Sequence, residues 1–521
     1  MSLPTSVASC SLFAWLQRNV LLFVVFTTGC ALLIIEVVAT RILSPYFGNT
    51  IFTFSSVIGV VLAFLSLGYI IGGRLADRHP DLRYFYGIIF ASGCSVAFLS
   101  FLTAFVLPMY AYSYSITVGP LVFSVVLFAL PSLLIGMLSP YVITLQKKAC
   151  PDTGLGTVAG NVFFFSTVGS IFGSLSTGFI LIPFVGVQEI VISVACVLLL
   201  IGLIGLLFTL QRSIMKLFVC IVGFIFFSVA RSVYGAPVDE NIIFLEDGTY
   251  QQIRVIDIEH NSRPARALFL DRSPSTAIYL DGDDLLFPYT EFYKIHTQLS
   301  EPIENALILG AGTYVLPEVF HREIPTLAID VVDIEEKLLD VATEYFAFSN
   351  APEISSHFED GRRFLHDSEV SYDFIFGDVF SSGLSIPSHM ATQEFFSLVS
   401  DRLSDDGVFM GNFIGTLSDD ERSIIPSLIA TFKTVFDSTY FFASEDMEYD
   451  EVQNVAFLAF MSDVDIDFCS SAYANHRDVF FRGLCDRLVD MSTYDLSKQI
   501  ILTDNYAPVE YLTSSFVHKI Q

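Results

Sequence analysis

The sequence predicts a multi-pass α-helical membrane domain over residues 1–235, a small β-rich subdomain over 236–300 and an α/β domain over 301–521. Three observations predict this. Long apolar runs with few charges fill the first half and end near Tyr234. Short stretches of alternating apolar and polar residues follow from Ala236 onward. From Ala306, strand-like runs alternate with helical ones, which is the signature of a parallel, doubly wound sheet.

A bilayer core needs about 20 apolar residues per helix. Runs of that kind lie near 20–40, 51–73, 84–107, 120–145, 157–183, 188–210 and 216–233, so about seven spans are expected. The run after Arg18 has no small-residue cleavage site and is followed by further runs, so it reads as a first membrane helix and not as a removed signal. Gly169 with Gly173, and Ser174 with Gly178, stand at four-residue spacing, where small side chains let membrane helices approach closely. Glu36 and Arg41 near the end of the first run read as an interfacial ion pair before they read as a polar pathway.

Basic residues gather after the second run (Arg74, Arg78, Arg83), after the fourth (Lys147, Lys148) and after the sixth (Arg212, Lys216). By the positive-inside rule those loops are cytoplasmic. Seven spans would then put the C-terminal half outside. A cytoplasmic C-terminal half, the reading adopted here, requires that one run is not a full span or that a long one hides an extra pass.

Hydrophobic residues make up 53% of the 521, 51 of them Phe, and the mean hydropathy is +0.60. Both values fit a chain that is half membrane domain. The net charge of −28 lies mostly in the second half and argues against nucleic acid, whose phosphates need basic patches. None of the eight cysteines forms a CxxC pair, and five sit in or beside apolar runs, so neither a zinc site nor a disulfide framework is expected.

In the second half, Gln252–Asp257 and Ala267–Leu270 alternate like half-buried strands around the turn-rich stretch 260–264. Strands are then expected at Ala306–Leu309, at Thr326–Ile329 continuing into Val331 and Val332, at Tyr372–Phe376 and at Gly407–Phe413. Helices are expected at Glu335–Tyr345 and Gln393–Leu403. Ligands on such sheets bind beyond the carboxyl ends of the strands.

The residues that carry chemistry stand at those ends. Gly310 and Gly312 follow the first strand, so bare backbone can approach a ligand; the third glycine of a dinucleotide fingerprint is replaced by Val315, which disfavours NAD. Asp333 follows the second strand about twenty residues on, where an acid takes ribose hydroxyls; its bland reading is an acid favouring a helix dipole. Asp360-Gly361 opens a helix, where Asp360 either accepts from an exocyclic amine or simply caps the helix. Asp378 ends the Tyr372 strand, placed to accept a proton as a general base does, or to form the turn before Ser381-Ser382-Gly383.

Taken together these residues resemble the spermidine synthase (polyamine aminopropyltransferase) family, in particular its membrane-fused members. The resemblance rests on Thr249-Tyr250-Gln251, Leu268–Asp271, Gly310-Ala311-Gly312, Val332–Glu335, Glu359-Asp360-Gly361, Tyr372–Asp378, Pro387–Phe396 and Leu502–Pro508. In the first half, Ile35-Glu36-Val37, Ser44–Gly48 and Gly72–Arg78 look like the fused subfamily, and Gly72–Arg78 also looks like a loop of major-facilitator transporters. The resemblance implies a Rossmann-like, class I methyltransferase-like fold and transfer of an aminopropyl group to an amine. The co-substrate implied is decarboxylated S-adenosylmethionine or S-adenosylmethionine itself, with no tightly bound cofactor or metal. It assigns Gln251 to the sulfonium-bearing donor, Asp333 to the ribose, Asp360 to the adenine and Asp378 to proton acceptance. A homodimer is implied in the same way.

Three positions depart from the family pattern. Thr313 stands where the glycine loop carries an Asp, Ser381 where the catalytic loop carries a second Asp, and Thr290 where a His follows the Tyr at Tyr289. Tyr289, Thr313 and Ser381 are thus the expected acceptor-side residues. A dicationic amine entering a closed site needs carboxylates to offset its lost hydration, so the acceptor is expected to differ from the usual diamine. Thr313 also leaves room for the carboxylate of S-adenosylmethionine, which makes methyl transfer the alternative. Ligand binding without turnover, in a transporter or sensor, is the third reading.

Overall fold

The computed structural model describes residues 12–211, 213–233, 241–271, 273–282, 286–378, 386–418, 423–444, 447, 450–463 and 465–513. The chain divides into two compact units, Met1–Val238 and Asp239–Gln521.

Among the described residues of the first unit, six helices are long and apolar enough to cross a membrane. They are α1 (Arg18–Phe47), α2 (Ile51–Arg78), α3 (Leu82–Tyr110), α4 (Gly119–Ala149), α5 (Leu155–Phe184) and α6 (Val187–Thr209). The last apolar run lies in α7 (Ser213–Val233), whose described apolar stretch, Ser213–Phe226, is shorter. The helices turn where local chemistry favours it. Thr50 caps α2 by accepting from the Thr53 N–H, and Asp81 opens α3 by accepting from the Arg83 N–H. Helix α1 packs along α5, α2 along α4 and α3 along α6. Their contacts are made backbone to backbone at glycines: a Cβ on Gly169 would stand 2.1 Å from the Phe26 carbonyl oxygen, so the small residues set the interhelical distance.

The second unit begins with a four-stranded antiparallel meander, β1 (Ile242–Asp247), β2 (Gln252–His260), β3 (Arg263–Leu270) and β4 (Ser273–Tyr279). The β2–β3 turn is tighter than the sequence suggested. Only Asn261 and Ser262 form it, both with positive φ (51° and 60°), and Arg263 and Pro264 already belong to β3. A 3₁₀ segment, Pro288–Gln298, leads to the larger sheet.

That sheet has seven strands, β5 (Asn305–Leu309), β6 (Ala328–Val332), β7 (Ile354–His357), β8 (Tyr372–Gly377), β9 (Leu403–Gly415), β10 (Ser438–Ala443) and β11 (Gln453–Phe460), in the order β10-β11-β9-β8-β5-β6-β7. Strands β5 to β9 are parallel; β11 pairs antiparallel with β9 and with β10. Its helices are α8 (Val315–Glu323), α9 (Lys337–Tyr345), α10 (Gly361–Asp367), α11 (Gln393–Arg402) and α12 (Ile424–Phe432). The strand order reverses between β5 and β8, and a crevice opens at such a switch point. Phe320, Phe374, Phe376 and Met410 form the core beneath it.

Candidate active site

Strand β5 is apolar throughout and its last four residues are buried, which fixes where its turn begins. The turn is pinned from both sides: the Gly310 N–H donates to the Val332 carbonyl at 2.9 Å, and the Asp378 N–H donates to the Leu309 carbonyl at 2.9 Å. Gly310 and Gly312 have φ of 96° and 50°, a region that favours glycine. A Cβ on Gly312 would also lie 2.5 Å from the Thr276 hydroxyl oxygen of β4. Tyr314, buried, takes a left-handed φ of 57° before α8 begins, a strained conformation of the kind that collects at functional sites.

Asp333 holds this turn from the end of β6. One carboxylate oxygen accepts from the Ala311 N–H and the other from the Glu335 N–H, both at 2.8 Å. Burial pushes its carboxyl above the usual range, and the backbone donors oppose the shift. Glu335 in turn accepts from the Tyr250 N–H at 2.9 Å, and Gly248 lies against its carboxylate. Gln251, itself buried, is brought in by that connection. Asp360 caps α10 through the Arg363 N–H at 3.0 Å and pairs with the His389 ring at 2.8 Å, a bond that holds its carboxyl below the usual range. Gly361 lets this loop lie against Leu309 at the end of β5.

Asp378 follows β8 and is partly buried. The Tyr289 hydroxyl donates to one carboxylate oxygen at 2.7 Å, and the Asn412 amide donates to the other at 2.9 Å. Burial raises the Asp378 carboxyl, and the two donors partly offset that. Burial and the adjacent negative charge push the Tyr289 phenol up, so it remains protonated and a donor. A carboxylate with a raised affinity for protons, held by two donors and facing a crevice, is equipped to take a proton.

The crevice encloses about 560 Å³, counting its open mouth, and Gly310, Gly312, Thr313, Tyr289, Thr290 and Asp378 are among the residues lining it. Leu286, Phe287, Val315 and Leu316 make part of its wall apolar. Gln251, Asp333, Asp360 and Gly361 stand in the surrounding loops and not in that lining, while Ser381 lies outside the described residues. Thr313 is buried and its hydroxyl has no hydrogen-bond partner among the described residues. Sequence reasoning missed Asn412, Thr276 and Ser275. Asn412 is a lone amide inside the apolar strand β9, and only the register Gly377 to Gly411 brings it beside Asp378. The expectation of no disulfide is also corrected, since Cys469 and Cys485, sixteen residues apart, are bonded. Among the described residues no cluster of three or more His, Cys, Asp or Glu is placed to hold a metal.

Residues 287–445 match the spermine/spermidine synthase domain. The chain is 34% identical over 138 residues to a probable polyamine aminopropyl transferase of Bifidobacterium longum, covering 26% of this chain and 30% of that protein. It is 30% identical over 174 residues to the polyamine aminopropyltransferase of Vibrio vulnificus, covering 32% and 56% respectively. It is also 30% identical over 145 residues to the eEF1A lysine and N-terminal methyltransferase of Homo sapiens, covering 26% and 20%. The chain thus spans at most 56% of the length of these relatives. Among solved structures, a probable spermidine synthase from Corynebacterium glutamicum aligns with a TM-score of 0.42 at 20% identity, covering 50% of this chain and 92% of that one. Residues 287–445 thus resemble the spermine/spermidine synthase domain, and among the described residues six helices of membrane-spanning length stand ahead of that stretch.

Proposed function

We propose that the protein is a membrane-bound transferase that moves an aminopropyl group from decarboxylated S-adenosylmethionine to an amine acceptor. The observation that carries this reading is the placing of Asp378 and the glycine turn on one crevice. In the reaction, the acceptor nitrogen attacks the carbon next to the sulfonium, a C–N bond forms, and the C–S bond breaks with its electron pair going to sulfur. The proton lost by the nitrogen goes to Asp378. Gly310 and Gly312 give the adenosyl moiety room against bare backbone, Asp333 and Asp360 are assigned to its ribose and adenine, and Gln251 to the donor's tail. Tyr289, Thr313 and Ser381 belong to the acceptor side.

A second reading, methyl transfer from S-adenosylmethionine, is favoured by Thr313. Its buried hydroxyl, without a partner among the described residues, can donate to a carboxylate as well as accept from an ammonium, so unlike an Asp at this position it does not repel the methionine carboxylate. Incubating the full chain with each donor and a panel of amines, then weighing the products by mass spectrometry, decides between them. An aminopropylated amine supports the first reading and a methylated product the second. Turnover with neither donor sinks both, and Asp378→Asn must abolish whichever product forms.

We place the C-terminal unit in the cytoplasm. With six spans it follows on the side of the loops carrying Arg78, Lys147 and Lys148, the basic side. The Cys469–Cys485 bond pulls the other way, since disulfides persist mainly outside the cytosol. Cys150, in the loop after Lys147 and Lys148, is disulfide-bonded as well; the agreement of the basic loops outweighs both bonds, and protease protection in sealed vesicles tests the choice.

A further inference from the structure

The glycine contacts of the first unit repeat. Gly169 and Gly173 of α5 meet the carbonyls of Phe26 and Cys30, and Gly29 of α1 meets that of Ser166. Gly68 and Gly72 of α2 meet the carbonyls of Leu133 and Met137, and Gly136 of α4 meets that of Leu65. In both sets the contacts fall three residues before, or one after, the partner glycine. The register is therefore the same, with Gly29 equivalent to Gly136 and Gly68 to Gly169. The third pair closes on itself: Gly93 of α3 meets Leu199, three before Gly202, and Gly202 of α6 meets Phe90, three before Gly93.

So α1, α2 and α3 are repeated as α4, α5 and α6. Partner numbers rise together in the first two pairs and run oppositely in the third, as they must if every helix crosses. Three crossings per repeat make the two copies inverted in the membrane. Six-helix inverted repeats of this kind occur as halves of larger bundles, with the second half packed alongside.

The repeat also shows which face is unfinished. Only 22% of the most apolar stretch of α2 and 17% of that of α5 is buried, against 50–56% for the other four. These two helices are equivalents. Gly59 and Gly160, each nine residues before its register glycine, are equivalents too, and a Cβ on either would meet nothing within 4 Å. Small residues have no packing purpose against lipid, whereas against a helix they permit close approach. Charge points the same way. Arg74 and Arg78 are exposed at the end of α2, with exposed Asp77 between them, and Asp152 is exposed just before α5 at the same membrane level. Among the described residues, Arg74, Arg78 and Asp152 have no ion-pair partner.

We propose that a second copy of this chain docks on the α2–α5 face, α2 of each protomer against α5 of its partner. A two-fold axis along the membrane normal makes that interface isologous, the commonest arrangement of homo-oligomers. It sets Arg74 and Arg78 of one protomer against Asp152 of the other and keeps both C-terminal units on one side.

The test is subunit counting by single-molecule photobleaching of the full chain, diluted in liposomes with and without anionic lipid. The wild type is expected to be dimeric. Gly59→Trp and Gly160→Trp fill open space and spare the bundle; each is expected to raise the dissociation density at least tenfold, while Phe208→Trp, at an exposed position of α6, leaves it unchanged. Arg78→Glu and Asp152→Arg each weaken the dimer, and the double exchange restores it, an outcome that misfolding cannot produce. A monomer, a dimer indifferent to both tryptophans, or an Arg78→Glu variant that loses only anionic lipid overturns the proposal.

Discussion

Replacing Tyr289 by Phe removes one hydroxyl and nothing else from the neighbourhood of Asp378. The bond lost is 2.7 Å long and joins the buried Tyr289 phenol to the partly buried Asp378 carboxylate, so solvent screens it only in part. A hydrogen bond to a charged group is worth about 1.5–3 kcal/mol. At 1.36 kcal/mol per pH unit, its loss raises the Asp378 carboxyl by about 1–2 units. The sign follows from which state the hydroxyl favours: it donates to the ionised carboxylate, so without it the protonated form gains. The chemistry needs Asp378 ionised, and activity is lost as pH falls through its pKa. The acid limb of the kcat/KM profile should therefore move upward by that amount, with the alkaline plateau kept within several-fold. An unmoved limb would refute the assignment of Asp378 as the titrating base. A collapsed plateau over an unmoved limb would make Tyr289 a substrate contact and not a positioning residue.

Three further outcomes follow from the same geometry. Gly312→Ala forces a Cβ against the Thr276 hydroxyl at a left-handed φ, and should weaken donor binding by roughly tenfold or more, at about 1–2 kcal/mol of strain, measured by calorimetry. Asp333→Asn removes a carboxylate that accepts from the Ala311 and Glu335 N–H groups. It should raise the donor Kd by roughly 10–100-fold, each such bond being worth about 1.5–3 kcal/mol, and leave the reaction at saturating donor within a few-fold. Thr313→Asp puts a carboxylate into the crevice, so it should penalise S-adenosylmethionine relative to its decarboxylated form by about tenfold or more. Equal losses for both donors would show that Thr313 does not face the donor's tail.

The readable parts of this chain were those written in short-range pattern. Asn305–Leu309 is a mostly apolar run ended by Gly310, and Tyr372–Gly377 is another ended by Asp378, so β5 and β8 were legible, whereas the strand order that makes them neighbours at the switch point was not. The expected helix from Glu335 begins at Lys337, because the Asp333 carboxylate binds the Glu335 N–H and holds that residue in the loop. Long-range facts were not legible. Asn412 looks like a flaw in an apolar strand until the β8–β9 register sets it against Asp378, and the Cys469–Cys485 bond depends on the packing of short C-terminal turns. Strands β10 and β11 carry no glycine signal, and the antiparallel edge they build was unforeseen. In the first half the apolar runs marked the helices. The three-plus-three repeat is carried by glycine registers between helices far apart in sequence, which periodicity along one helix does not reveal.

The central claim is that one crevice holds an adenosyl sulfonium with its sulfur toward Asp378. Cryo-electron microscopy of the full chain in lipid nanodiscs with S-adenosylmethionine, and separately with its decarboxylated form, tests it most directly. Density for the adenosyl group against Gly310–Gly312, its ribose beside Asp333 and its sulfur facing Asp378, is the predicted result. An adenosyl group bound elsewhere on the chain, or the same crevice left empty at saturating concentrations of both compounds, would contradict it.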